Sequence, residues 1–118
     1  MAQAILWHNP RCSKSRQTKA LLQEKGISFE EVRYLDNTPS VEELRAVLTK
    51  LDLPLRDWMR TKEEAYKTLR LADVTDEDAL LQAMSENPRL IERPVVIVGE
   101  KAALGRPPEN ILSLFDNA

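Results

Sequence analysis

Trp7-His8-Asn9-Pro10-Arg11-Cys12-Ser13-Lys14-Ser15-Arg16 is the stretch on which the reading of the whole chain turns, and it holds the only cysteine and the only histidine of the sequence. Ahead of it, Ala4-Ile5-Leu6-Trp7 reads as a short buried strand. Behind it, Ser13 to Lys25 reads as a helix stopped by Gly26. A strand that passes through a proline-containing turn into a helix puts the turn residue beside the first unpaired backbone N–H groups. Those groups and the helix dipole favour negative charge, and Cys12 stands there.

A lone cysteine is ordinarily a small buried hydrophobe. This position argues for reactivity instead. His8, Arg11, Lys14 and Arg16 all lie within four residues of Cys12. A thiol at a helix N-terminus among cations has a pKa of roughly 3.5–7.5, against about 8.5 for free cysteine. A fall of about two units turns a minor thiolate fraction at neutral pH into the major one.

Working outward, the segment from Ile27 to Leu35 alternates in part between apolar and polar residues and is expected as a strand. Strand, helix and strand make a right-handed parallel βαβ unit the default. From about residue 40 to 88 the pattern is helical. Ser40 with Glu43 fits a capping box, followed by Val41, Leu44, Leu48 and Leu51 at helical spacing. Leu55, Trp58 and Met59 share a face of a short segment, and Ala65, Tyr66 and Leu69 suggest another helix. Thr75 with Asp78 is expected to cap a fourth helix, with Leu80, Leu81 and Met84 inward and Asn87-Pro88 at its end. Two strands, Pro94 to Val98 and Lys101 to Leu104, flank Gly99-Glu100, the composition of a type II′ hairpin. Gly105 to Glu109 then starts a closing helix with Ile111, Leu112 and Phe115 inward. The expected class is α/β: one domain over 1–118, with a helical insertion at about 40–88 between an N-terminal βαβ unit and a C-terminal ββα unit.

Composition removes several classes. A chain of 118 residues can bury enough surface to fold without disulfides or metal. One cysteine suits a reducing cytoplasm, and one cysteine with one histidine cannot build the usual zinc site, so no metal is expected. The apolar runs are too short to span a membrane, and no secretory leader is expected, since no basic stretch followed by an apolar one opens the sequence. A net charge of −2 argues against unspecific nucleic-acid binding.

The order strand, cysteine, helix, strand, then Arg93-Pro94 before a hairpin and a closing helix resembles the thioredoxin fold. In that fold the proline ahead of the hairpin is cis and lies opposite the cysteine, a place that Pro94 matches. More narrowly, the stretch from His8 to Arg16, with Met59-Arg60, Arg93-Pro94 and Gly105-Arg106-Pro107, resembles the glutaredoxin-coupled arsenate reductases over Ile5 to Leu114. Four motifs in order make the resemblance specific. It implies Cys12 as nucleophile, with Arg60, Arg93 and Arg106 holding arsenate and its reduced adduct. It also implies His8 as a residue that helps depress the cysteine pKa, Ser15 as the serine near it, and a supporting role for Asn9. Resistance-type enzymes of the family carry a longer C-terminal tail, so the similarity is to a shorter branch.

The position three after Cys12 is Ser15, so the chain has no C-x-x-C and no resolving thiol. Thr18 stands where a C-x5-R phosphatase loop needs arginine. The implied reaction is therefore intermolecular: Cys12 attacks arsenic, glutathione attacks the adduct, and glutaredoxin takes up the mixed disulfide as arsenite leaves. No bound cofactor is expected, glutathione being a co-substrate, and the chain is expected as a cytoplasmic monomer. Two other readings stand beside this one. One is a monothiol oxidoreductase whose arginines bind glutathione carboxylates. The other is an Spx-like regulator that binds RNA polymerase, although Ser15 in place of a second cysteine removes the usual oxidation switch.

Overall fold

The computed structural model describes residues 4–115, which divide into two compact units: residues up to 34 together with residues from 93 onward, and residues 35–92. The helical insertion expected at about 40–88 falls within the second unit, which is longer at both ends.

The first unit is a four-stranded sheet in the order β2-β1-β3-β4. Its strands are β1 (Ala4–Trp7), β2 (Phe29–Val32), β3 (Val95–Val98) and β4 (Lys101–Leu104). β1 runs parallel to β2 and antiparallel to β3, and β3 pairs antiparallel with β4. Successive strand residues point to opposite faces. Ala4 and Leu6 of β1 and Val96 of β3 therefore share one face, packed with Leu22 of helix α1 (Ser13–Glu24) and Ile111 of the closing helix (Pro108–Phe115). Each fully buried leucine, isoleucine or valine among them contributes about 1.5–3 kcal/mol of burial.

α1 ends at Gly26, whose φ of +68° is the left-handed conformation that stops a helix. Gly99 has φ +59° and Glu100 has no positive φ, which is the type II′ pattern read from the sequence. Two expectations change here. The strand over Ile27 to Leu35 contracts to four residues, because only these pair with β1. The closing helix is 3-10 rather than α. The Arg93-Pro94 bond is cis, as the resemblance implies, and so is Arg106-Pro107.

The second unit is built on α2 (Val41–Leu51), α3 (Glu64–Thr68) and α4 (Glu77–Glu86) with short 3-10 turns between them. The Ser40 capping box is complete. α2 packs on α4, and Leu44, Val47 and Leu51 of α2 and Leu80, Leu81 and Met84 of α4 are buried. Val47 rather than Leu48 takes the middle position, since three residues after Leu44 lies closer to the buried face than four. Asp76, not Thr75, occupies the N-cap of α4, and no side chain closes it. Leu69 follows α3 and is exposed. Tyr66 carries that segment's burial, its hydroxyl accepting from Arg56 at 2.7 Å.

Candidate active site

Cys12 is the N-cap of α1 and is buried, with 7% of its surface exposed. Its backbone is extended, its N–H donates to Asn9 O at 3.0 Å, and its carbonyl accepts from Arg16 N–H at 3.0 Å. That carbonyl starts the helix, while the thiol lies beside the free end. α1 has no side-chain cap and no acidic residue in its first turn. The first-turn N–H groups of Ser15 and Lys14 bear on the sulfur instead.

Burial pushes the Cys12 thiol up, and four influences outweigh it: the Ser15 N–H, the charge of Arg93, the Lys14 N–H and the charge of Arg106. The net shift is downward, toward thiolate. Arg106 Nη2 stands 3.8 Å from Cys12 Sγ, while its Nε donates to Arg93 O at 2.7 Å. The carbonyl of the residue beside it thus holds one guanidinium while that guanidinium faces the sulfur. The cations near Cys12 in sequence are differently engaged. Arg16 donates to Pro10 O at 2.9 Å, and Arg11 is exposed. The charges that act most on the thiol come from the far end of the chain, carried there by β3 and β4.

His8 is buried, and burial, its largest influence, lowers its pKa. Its Nδ1 pairs with Ser15 Oγ at 2.6 Å, and Asn9 N–H donates to the same oxygen at 3.0 Å. Asn9 Oδ1 in turn accepts from Arg11 N–H at 3.0 Å. These bonds pin the loop onto the first turn of α1, and so hold the Ser15 N–H toward Cys12. Near His8 lies Glu31, bonded to Lys19 at 2.7 Å and Arg33 at 2.9 Å, which together depress its carboxyl to about 2. No local pattern signals this cluster, because α1 and the β2 segment contribute to it separately.

The first unit therefore brings together Cys12, His8, Asn9, Ser15, Arg93, Pro94 and Arg106. Arg60 belongs to the second unit, where its N–H donates to Leu90 O at 2.8 Å. Its guanidinium lies 3.3 Å from Arg89 O and 3.4 Å from Glu63. Gly105 packs closely against Thr18 and Pro94, a closeness that no spacing in the sequence predicts. The only available sign was that Gly105 stands within Gly105-Arg106-Pro107.

A sheet in this order, a cysteine heading the first helix and a cis proline before β3 define a thioredoxin-like α/β protein. The model of the ArsC family matches residues 7–114. The chain belongs to the ArsC family. It is 49% identical over 113 residues to a protein named arsenate reductase from Neisseria meningitidis, covering 94% of this chain and 97% of that one. It is 33% identical to an Escherichia coli arsenate reductase, spanning all of this chain and 84% of the relative. A solved structure named as arsenate reductase from Vibrio cholerae superposes with a TM-score of 0.93 at 48% identity, covering 95% of this chain and 97% of that one.

Proposed function

We propose that the protein is an arsenate reductase in which Cys12 is the nucleophile and glutathione and glutaredoxin supply the electrons. The observation that carries the reading is a lone thiol, lowered in pKa, at an open helix N-terminus with the Arg106 guanidinium 3.8 Å from its sulfur. A tetrahedral oxyanion needs forked donors and a positive field, and each charge-assisted contact is worth roughly 1.5–3 kcal/mol. Arg93 and Arg106 favour the thiolate before substrate arrives and the arsenate oxygens afterwards. For Arg60 the resemblance alone supports a part in arsenate turnover. Asn9, Ser15 and Pro94 support the loop geometry.

In the first step the Cys12 thiolate adds to arsenic and an oxygen leaves as water. Glutathione thiolate then adds to arsenic and a second oxygen leaves. A glutaredoxin thiolate attacks the glutathione sulfur, the sulfur–arsenic electron pair stays on arsenic, and arsenic(V) becomes arsenic(III). Water finally releases arsenite and restores Cys12. The chain's own part is to hold the anion and keep the sulfur ionised, since it has no second cysteine to resolve the adduct. Among the described residues no helix is long and apolar enough to cross a membrane. A free thiol fits a reducing cytoplasm, where we place its work as a monomer.

The test is arsenate-dependent NADPH oxidation coupled through glutathione, glutaredoxin and glutathione reductase. Turnover that needs both glutathione and glutaredoxin is the expected result. Reduction of glutathione-mixed disulfides without any arsenate turnover would overturn the reading in favour of a monothiol oxidoreductase.

A further inference from the structure

Gly105 is buried, immediately after β4 and immediately before Arg106. Its N–H donates to Pro94 O at 3.0 Å. A Cβ on Gly105 would fall 2.7 Å from Pro94 Cγ and 3.2 Å from Thr18 Cγ2, and closer still to Thr18 Oγ1. Thr18 has little room to yield: it is fully buried, and its hydroxyl donates to Lys14 O at 2.9 Å. Lys14 lies in the first turn of α1, the helix that Cys12 heads. A side chain at residue 105 would therefore meet both α1, through Thr18, and Pro94.

We propose that Gly105 is a positioning residue for the oxyanion site, its missing side chain setting how closely Arg106 approaches Cys12. The inference rests on the reading of Cys12 as the arsenic nucleophile. What glycine supplies here is space, since Gly105 does not adopt a left-handed φ. A methyl group at this point must push α1 and the Pro94 segment apart or carry residue 105 outward. The second route takes Arg106 with it, and the first moves Arg93 O, to which Arg106 Nε is bonded at 2.7 Å. Either way the 3.8 Å approach of Nη2 to the sulfur lengthens. A misplacement of about 1 Å can cost about a hundred-fold in rate.

The test is a double-mutant cycle read on the pH titration of the Cys12 thiolate and on arsenate turnover. Gly105→Ala should raise the titration midpoint and lower kcat/KM for arsenate by about ten-fold or more. In an Arg106→Ala background the same change should add little to either signal, because the group it displaces has gone. Thr18→Ala placed in the Gly105→Ala protein should recover part of both signals by removing the Oγ1 and Cγ2 contacts. That double variant also serves as the folded protein for the cycle where Gly105→Ala alone does not fold. Equal effects with and without Arg106, or an unchanged midpoint in the folded variant, would overturn the proposal. The titration uses no arsenate, so it decides the positioning role separately. A wild-type protein inactive on arsenate would count against the functional reading alone.

Discussion

At the head of α1 the N-cap residue is Cys12, with φ −95° and ψ 124°; at the head of α2 it is Ser40, with φ −76° and ψ 166°. Both are extended, and both offer a row of unpaired N–H groups. α2 answers that row from its own sequence. Ser40 Oγ accepts from Glu43 N–H at 3.1 Å, the Glu43 carboxylate accepts from Ser40 N–H at 3.1 Å, and Glu42 adds a second acid to the first turn. α1 has neither a side-chain cap nor an acidic first turn, and cations stand where the acids would be. The positive end of α2 stabilises the fold; that of α1 is left to a sulfur and to an incoming anion. An open helix start beside a thiol marks function because nothing local has neutralised it.

The sharpest way to break this comparison is to remove the thiol. Cys12→Ser should lower arsenate turnover by about three orders of magnitude or more, since a serine hydroxyl does not ionise under these influences. The coupled NADPH assay reads the loss directly. Removing a guanidinium is the next largest effect. Arg106→Ala and Arg93→Ala should each reduce the arsenate rate about 10- to 100-fold. Lysine at either position should recover only part, keeping the charge without the planar fork. Arg60→Ala, measured in the same assay, should lower the arsenate rate if the part that the resemblance implies for Arg60 holds, and leave it unchanged otherwise.

The head of α2 should respond in the opposite way. Ser40→Ala should cost about 1 kcal/mol of stability, a few degrees in Tm, and leave the arsenate rate unchanged. Thermal melts and the coupled assay on one preparation check both halves. A smaller effect belongs to Glu31. Its folded pKa, about 2, lies below the ordinary 4.5, so its ion pairs add stability above the ordinary value. That contribution is lost as pH falls from about 4.5 toward 2. Melts over this range should show a steeper loss for wild type than for Glu31→Gln.

Local signals in the sequence were sufficient wherever one segment settles its own shape. The Gly26 stop, the Ser40 box and the Gly99 hairpin depend on neighbours a few residues away. Cys12 at the head of α1 was legible for the same reason. What acts on Cys12 was less so. Spacing pointed to Arg11, Lys14 and Arg16, yet the charges that matter are Arg93 and Arg106, which only the resemblance had picked out. Their place depends on β3 lying beside β1, a long-range pairing that no local pattern encodes. The turn of His8 toward Ser15 and the close approach at Gly105 are likewise tertiary facts. α4 starts with Asp76 as its N-cap, one residue beyond the Thr75 signal.

The central claim is that Arg93, Arg106 and the open start of α1 together ionise a buried thiol. The most direct measurement is the pH titration of Cys12 by ultraviolet thiolate absorbance, with iodoacetamide alkylation as a second reading, in wild type, Arg93→Ala and Arg106→Ala. The wild-type midpoint should lie below the roughly 8.5 of free cysteine, and each substitution should raise it by a fraction of a unit to about one unit. A wild-type midpoint at or above the free value, unmoved by either substitution, would contradict the account.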